Sequence, residues 1–130
     1  MKKQEEKKGK YMYDFIEDVM YLVPLRRTYS SSFQIDNFIF DLDKNKKLAG
    51  LEILNASKVM NIPKIFLKHI LRGKLEMSAK KNRIYVRLEM TGILRNRNMK
   101  NILDIERVHE NSFQPSVEKL TLKPIKVPSR

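Results

Sequence analysis

Apolar and polar residues alternate with a period of two along several stretches of this chain, the pattern of half-buried β-strands. The clearest run is 83–90, in which every second residue from Ile84 to Met90 is apolar. The run 74–79 alternates in the same way, and the polar residues 80–82 separate the two. We therefore predict a hairpin with its turn at 80–82.

An earlier hairpin is predicted from the runs 11–16 and 19–23, which flank the polar pair at 17 and 18. Pro24 ends the second of these strands, because proline cannot donate to a strand ladder. The serine-rich residues 28–32 are predicted to form a loop.

The segment between the strands near 54 and 74 is predicted to be helical. Ser57 can cap a short helical turn, and Pro63 suits the first turn of a second helix because its missing N–H costs nothing there. That helix is predicted over 63–72, since residues 65, 66, 69 and 70 share one face. Gly73 can take the left-handed cap.

These elements together predict an α+β fold: a twisted antiparallel β-sheet of about six to seven strands built from hairpins, with one main α-helix packed on it. Residues 102–108 are a further strand candidate. We expect a flexible basic arm at 1–10 and a single domain at 11–113. An extended tail at 114–130 contains three of the five prolines.

The stretch DLDKNKKLAGLE permits two interpretations. Its oxygen-bearing residues stand at positions 1, 3, 5 and 12 of an EF-hand-type loop and are Asp41, Asp43, Asn45 and Glu52. Such a loop needs glycine at position 6 and helices on both flanks. Lys46 and Lys47 stand here instead, and the flanks are strand-like. The pattern favours a β-hairpin turn, with Gly50 at a bulge or a close backbone approach.

The 130 residues suit one domain, and the absence of cysteine excludes disulfides and thiolate metal sites. No window approaches the apolar length of a membrane span, so we expect a cytoplasmic protein without membrane contact. The net charge is +12, and residues 51–100 carry twelve Lys and Arg against three Asp and Glu. A basic surface of this kind attracts phosphates or acidic proteins.

An enzyme is not predicted, and no cofactor is expected. The only two histidines, His69 and His109, are not spaced as a metal or catalytic pair, and four glycines form no phosphate loop. A metal-dependent enzyme remains the third alternative, and its candidate ligands would be Asp14, Asp18, Asp41 and Asp43.

Two features indicate nucleic-acid contact. Residues 56–76 have the order of an excisionase-type helix-turn-helix, whose second helix would carry Lys64, Lys68 and Arg72 to the backbone. The alternative is a helix packed on the sheet with solvated lysines. The second feature is a basic sheet surface with one aromatic side chain. Its residues are Lys80, Lys81, Arg83, Tyr85, Arg87, Arg95, Arg97 and Lys100. The alternative there is an ordinary charged sheet face.

The segment GLEILNAS at 50–57, with Asp41-Leu42-Asp43 before it and Asp18 and Tyr21 in the first hairpin, resembles a short prokaryotic domain family of unknown function. The resemblance covers roughly 11–72, and the basic hairpin that follows is similar to archaeal members. It implies a β-rich fold with one helix and assigns no catalytic residue. Some bacterial relatives sit in pairs similar to toxin–antitoxin modules, which implies a protein partner.

The sequence therefore favours a non-enzymatic binding module whose basic face contacts a DNA or RNA backbone. The alternative is a protein-interaction or antitoxin-like module that docks an acidic partner protein. We also expect a homodimer, because edge strands of a small core favour pairing.

Overall fold

One sheet contains all the strands of the computed structural model, which describes residues 6–26 and 29–125. The strand order across the sheet is β3-β4-β5-β2-β1-β7-β6. The elements are β1 (Lys7–Asp14), β2 (Val19–Pro24), β3 (Tyr29–Ile35), β4 (Phe38–Asp43), β5 (Leu48–Ile53), α1 (Ala56–Met60), α2 (Lys64–Lys68), β6 (Ile70–Leu94) and β7 (Arg97–Pro124). The first five residues of the predicted arm and the last five of the predicted tail lie outside the described residues.

The two predicted hairpins in the first half of the chain are confirmed, since β1 pairs with β2 and β4 pairs with β5, both antiparallel. The prediction of a wholly antiparallel sheet is wrong, because β1 and β7 run parallel from Lys7↔Leu120 to Tyr11↔Pro124. No short turn links these two strands, so no hairpin geometry sets their relative direction. The strand β1 starts at Lys7, inside the predicted arm. Residues 114–124 of the predicted tail lie in β7, which stands between β1 and β6 in the sheet.

The long strand β6 folds back on itself near Lys81, which has a positive φ of 55°. A straight strand rises about 3.3 Å per residue and would hold Glu76 and Arg87 roughly 36 Å apart. Both side chains instead line one shallow pocket, together with Ser78 and Tyr85. The contacts therefore place a reversal at the predicted turn, 80–82.

β7 follows both arms of β6, since residues 73–79 pair with 116–122 and residues 83–94 pair with 97–108. The predicted count of six to seven strands is too low, because each of these two elements supplies two strand segments. The sheet is also more dominant than an α+β description suggests, and its helices are minor.

The sheet curls into a half-barrel, which brings its edge strand β3 to the middle of β7. Phe33 stacks on Phe113 with ring centroids 5.2 Å apart, and Arg107 Nε donates to Asp36 Oδ2 at 3.1 Å. The core fills the inside of the curl. Its largest fully buried side chains include Met20, Leu22, Phe38, Phe40, Leu51, Ile53, Leu75, Met77, Ile84 and Leu88.

The predicted helix at 63–72 is too long, since α2 ends at Lys68 and Ile70 already begins β6. Phe66 and Leu67 pack α2 against the sheet. Neither helix in the described part of the chain has the length or the apolar run to cross a bilayer. The loop predicted at 28–32 is wrong from residue 29 onward, because β3 pairs with β4 there.

Candidate binding groove

Within the stretch 41–52, residues 44–47 form the hairpin turn between β4 and β5. Asp43 Oδ1 accepts the backbone N–H groups of Asn45 and Lys47 at 2.8 and 3.0 Å, and Lys46 takes a positive φ of 60°. The carboxylate thus caps its own turn. Among the described residues, no group of three His, Cys, Asp or Glu side chains is close enough to hold a metal ion.

Asp18 lies in the turn between β1 and β2 and is almost fully buried. Its carboxylate accepts the Tyr13 hydroxyl at 2.6 Å, the Ser57 hydroxyl at 2.6 Å and the Ser57 backbone N–H at 3.0 Å. Ser57 was predicted to cap α1, but Asn55 takes the N-cap position and the serine hydroxyl donates to Asp18. This cluster ties the first hairpin to α1, so two of the residues that carry the family resemblance have a structural role.

Burial by itself raises the pKa of the Asp18 carboxyl, since it disfavours the charged form. The hydrogen bonds donated by Ser57 and Tyr13, together with the nearby charge of Lys64, outweigh burial and hold the pKa below its ordinary value. Burial, and then the hydrogen bond to Asp18, raise the pKa of the Tyr13 hydroxyl. The carboxylate is therefore kept ionised as an acceptor.

The predicted basic sheet surface carries its own counter-charges. Arg83 pairs with Glu106, and Arg87 Nη1 lies 2.8 Å from Asp104 Oδ2. Glu89 lies 3.2 Å from a second Arg87 nitrogen and 3.8 Å from Lys100 Nζ. Opposite charges therefore alternate across neighbouring strands, an arrangement that stabilises cross-strand pairs and lowers the positive potential of this face.

The other predicted nucleic-acid residues lie in separate places. Lys80 and Lys81 are exposed at the fold-back of β6, and twelve residues of strand, 83–94, separate them from Arg95 and Arg97 at the turn into β7. At about 3.3 Å per residue this is roughly 40 Å. The two lysines and the two arginines therefore lie at opposite ends of this strand segment.

The lysines of α2 are held by the first hairpin. Lys64 Nζ and Lys68 Nζ lie 5.4 and 4.8 Å from the centre of the Phe15 ring, a cation–π geometry. Both helices of the proposed helix-turn-helix are only five residues long, and Arg72 lies in β6. This geometry favours the sheet-packing interpretation of the helical segment.

A groove of about 780 Å³ opens where α2, the turn between β6 and β7, and the ends of β1 and β7 meet. Its lining residues are Tyr11, Tyr13, Ile65, Leu67, Lys68, His69, Ile70, Leu71, Ile93, Leu94, Arg95, Asn96, Pro124 and Ile125. Two hydrogen bonds fix its walls. The buried Tyr11 hydroxyl donates to the Leu67 carbonyl at 2.6 Å, and Ile93 N–H donates to the His69 carbonyl at 3.2 Å.

The groove combines exposed apolar side chains with positive charge. Ile65, Leu71, Ile93 and Ile125 are each 39–46% exposed at its surface. Lys68, which also contacts the Phe15 ring, and Arg95 supply two cations, and no carboxylate is found among the described residues that line the groove. A contiguous patch of exposed apolar side chains is typical of a binding surface, whereas single exposed apolar residues are normal on any protein. Of the eleven predicted residues only these two line the groove, and sequence reasoning missed the groove itself.

A second, smaller pocket of about 320 Å³ shares Pro124 and Ile125 with the groove. Its lining adds four lysines and one carboxylate: Lys7, Lys8, Lys10, Lys123 and Glu6. The positive surface therefore continues from the groove along the paired ends of β1 and β7.

Comparison with known proteins supports the resemblance to an uncharacterised domain family. Residues 10–57 match a family model described as a protein of unknown function, DUF2283. The matched segment is shorter than the segment 11–72 over which the sequence motifs resemble the family. The matched segment covers most of β1, all of β2–β5 and the first two residues of α1.

Two archaeal relatives are similar to the chain. A Methanosarcina mazei protein, provisionally named a hypoxanthine phosphoribosyltransferase, is 29% identical over 90 residues, which are 68% of this chain and 73% of that protein. An uncharacterised protein of Methanocaldococcus jannaschii is 32% identical over 66 residues, 50% of this chain and 57% of that protein. At such identity the first name assigns no activity to this chain. No solved structure matches it.

Proposed function

We propose that this protein is a non-enzymatic binding module, and that its groove takes an acidic, apolar segment of a partner protein. The observation that carries the proposal is the described lining of the groove, in which exposed apolar side chains surround Lys68 and Arg95 and no carboxylate occurs among residues 6–26 and 29–125. Complementary charge steers an acidic partner to such a surface, and buried apolar area holds it there.

The nucleic-acid interpretation receives less support from the same geometry. Binding to a single strand needs a row of cations along the backbone and aromatic platforms for the bases. The part of the groove that the structure describes holds two cations, Lys68 and Arg95, and one of its two tyrosines, Tyr11, is buried. On the outer face, Arg83 and Arg87 are already paired with carboxylates. Nucleic acid is therefore the competing outcome of the test.

We expect a short fluorescein-labelled peptide of alternating Val and Glu to bind and a Val–Lys peptide to fail, as measured by fluorescence anisotropy at two salt concentrations. Lys68→Glu and Arg95→Glu should each weaken the acidic peptide about tenfold, which is about 1.4 kcal/mol. Labelled oligo-dT and oligo-U are measured beside the peptides.

Matched variants separate the groove from overall charge. Lys58→Glu changes an exposed lysine on α1, and Lys46→Glu changes a turn residue whose positive φ resembles that of Arg95. Both should leave affinity within about twofold, because neither residue lines the groove and exposed charges outside it are screened by salt. Equal losses in all four variants, or no binding of the acidic peptide at low salt, would contradict the groove. Tighter, salt-dependent binding of an oligonucleotide would favour nucleic acid instead.

Self-association stays a prediction from the edge strands. Light scattering that shows a monomer at all concentrations would remove it.

A further inference from the structure

The segment 97–108 of β7 is an outer strand of the curled sheet. One of its sides pairs with 83–94 of β6, and the remaining pairs of β7 lie toward its C-terminal end. In the described part of the chain, the other outer strand, β3, pairs with β4 alone. The β3–β4 hairpin meets β7 at Arg107 and Phe113, beyond the stretch 98–106. Among the residues that the structure describes, no strand therefore pairs with the second side of 98–106.

The turn that leads into this strand fixes which backbone groups point outward. Both residues of the turn at 95–96 have a positive φ, 53° and 63°, which makes a two-residue type I′ turn closed by the pair Leu94↔Arg97. That pair is hydrogen-bonded, and hydrogen-bonded pairs recur at every second residue of an antiparallel ladder. Even-numbered residues therefore direct their N–H and C=O away from β6. The Glu106 carbonyl agrees, since it accepts a bond from the Arg107 guanidinium.

The side chains along this edge are arranged symmetrically about Ile102. Lys100 stands two residues before it and Asp104 two residues after it, with opposite charges. Met99 and Ile105, both apolar, stand three residues before and after it on the other face. A second copy that runs antiparallel about Ile102 therefore brings Lys100 opposite Asp104 and Met99 opposite Ile105. Ile102 and Met99 are 46% and 45% exposed, and both would be covered.

We propose that two copies of this chain pair through 98–106, antiparallel and related by a twofold axis at Ile102. Such an interface is isologous, so each contact between the copies occurs twice. Backbone hydrogen bonds extend the sheet from one copy into the next and cover the open edge of both. None of the residues 98–106 lines the groove, so the inference stands apart from the proposed partner peptide.

The ion pairs within each copy favour this arrangement. The side chains of Lys100 and Asp104 are 58% and 60% exposed, so both can approach the second copy. Asp104 also lies beside Arg87, and Lys100 lies beside Glu89. In the dimer these charges join those of the other copy in one row of alternating sign, which stabilises cross-strand pairs.

Other alignments of the same two edges are less favourable. A centre at Asp104 places two aspartates opposite each other, and a parallel copy in register places two lysines opposite each other at position 100. A centre at Leu103 brings Lys100 opposite Glu106 but leaves Ile102 opposite Asp104. The charges therefore select the centre at Ile102.

Charge reversal tests the pairing in the full chain. Lys100→Asp gives a chain with carboxylates at positions 100 and 104, and Asp104→Lys gives a chain with lysines at both. We expect each variant alone to dimerise at least about tenfold more weakly than the wild-type chain, because like charges then meet twice. An equimolar mixture of the two variants should recover the dimer, since every carboxylate faces a lysine. Sedimentation velocity at several concentrations gives the dissociation constants.

The control variant is Lys46→Glu, which changes an exposed residue outside the edge and should leave the dissociation constant within about twofold. Exposed ion pairs contribute little to folding, so the edge variants should keep the wild-type circular dichroism spectrum. A wild-type chain that stays monomeric would overturn the inference. A mixture that dimerises no better than either variant alone would overturn it as well.

A single cysteine locates the twofold axis, because the natural chain has none. In the proposed dimer the two copies of Ile102 form a hydrogen-bonded pair with Cα atoms about 5.5 Å apart, within the range of a disulfide. The two copies of Val108 would lie about 40 Å apart. With oxidised glutathione, Ile102→Cys should therefore form a covalent dimer at least about tenfold faster than Val108→Cys. Equal rates for the two variants would contradict the axis at Ile102.

Discussion

Asp18→Ala is expected to lower the free energy of unfolding by about 3–4 kcal/mol. The substitution removes the acceptor of three hydrogen bonds, from the Tyr13 hydroxyl and from the hydroxyl and backbone N–H of Ser57. Each of these part-buried donors, when left without a partner, costs about 1 kcal/mol, the lower end for an unsatisfied group. Alanine also tolerates the positive φ of 56° at this position poorly, at a cost of about 1 kcal/mol. Urea denaturation measures the difference.

Two variants divide this cost between its causes. Asp18→Asn keeps one acceptor oxygen and a residue that accepts a positive φ, so about 1–2 kcal/mol is expected. Asp36→Ala changes an exposed turn aspartate with a similar φ of 52° and also removes its exposed ion pair with Arg107, so about 1–2 kcal/mol is expected. If Asp18→Ala costs no more than Asp36→Ala, the cluster around Asp18 does not stabilise the fold.

The Asp18 carboxyl should also make the stability of the fold depend on pH. Its pKa is lowered in the folded protein, so near the unfolded value of about 4 the unfolded chain binds more protons. The stability from Asp18 is therefore present above about pH 4 and is lost as the pH falls through the folded pKa. The difference between the wild-type chain and Asp18→Asn should shrink in that acidic window. A difference that stays constant down to low pH would contradict the lowered pKa.

Gly92→Ala is the second substitution for which a large loss is expected, about 2–3 kcal/mol. A Cβ at this position would lie 2.8 Å from the His69 carbonyl oxygen and 3.1 Å from Phe66 Cε1. The nearest atom belongs to the backbone, so a side-chain rotation cannot relieve the contact. The end of α2 and β6 would have to separate, which weakens the hydrogen bond from Ile93 to His69. Urea denaturation again gives the free energy.

Gly73→Ala is the graded control for this steric argument. Its Cβ would lie 3.1 Å from the Glu89 carbonyl oxygen, a tight contact that a small shift relieves. We expect about 1 kcal/mol, at the lower end for overpacking. If the two glycine variants are equally stable, the contact between α2 and β6 is looser than the structure indicates.

Local patterns predicted the short hairpins well, because each β1–β2 and β4–β5 pair lies close in sequence and shows clear alternation. The strand β3 was missed since Ser30, Ser31 and Ser32 have low strand propensity. Its stability comes from pairing with β4 and from Phe33, which packs on β7 across the curl. That contact joins residues far apart in sequence, and no local pattern reveals it.

The predicted helix at 63–72 was too long for a related reason. Residues 65, 66, 69 and 70 are apolar at helical spacing, but Ile70 points its apolar side chain into the core from a strand. A residue at a junction fits both periods, so the pattern alone does not place the boundary. The fold-back of β6 at 80–82 was easier to predict from the sequence, because three polar residues separate two alternating runs.

The candidate site was harder to predict than the fold. Lys68 and Arg95 were identified as cations, but the groove also requires Tyr13 and Ile125, which come from opposite ends of the chain. The charges of Arg83 and Arg87 were identified without their partners, since the register of β6 with β7 decides which carboxylates stand beside them. Strand register over this distance is a tertiary property.

The parallel pair of β1 and β7 sets the order in which the molecule can fold during its synthesis. Residues 7–11 emerge from the ribosome long before residues 120–124, their neighbours in the middle of the sheet. The hairpins β1–β2 and β4–β5 can form early, but the ladder that joins the two halves waits for almost the whole chain. Pairing over such a sequence distance slows folding. Until then the inner edge of β1 remains open to other strands, and such an open edge is a site at which a nascent chain can aggregate.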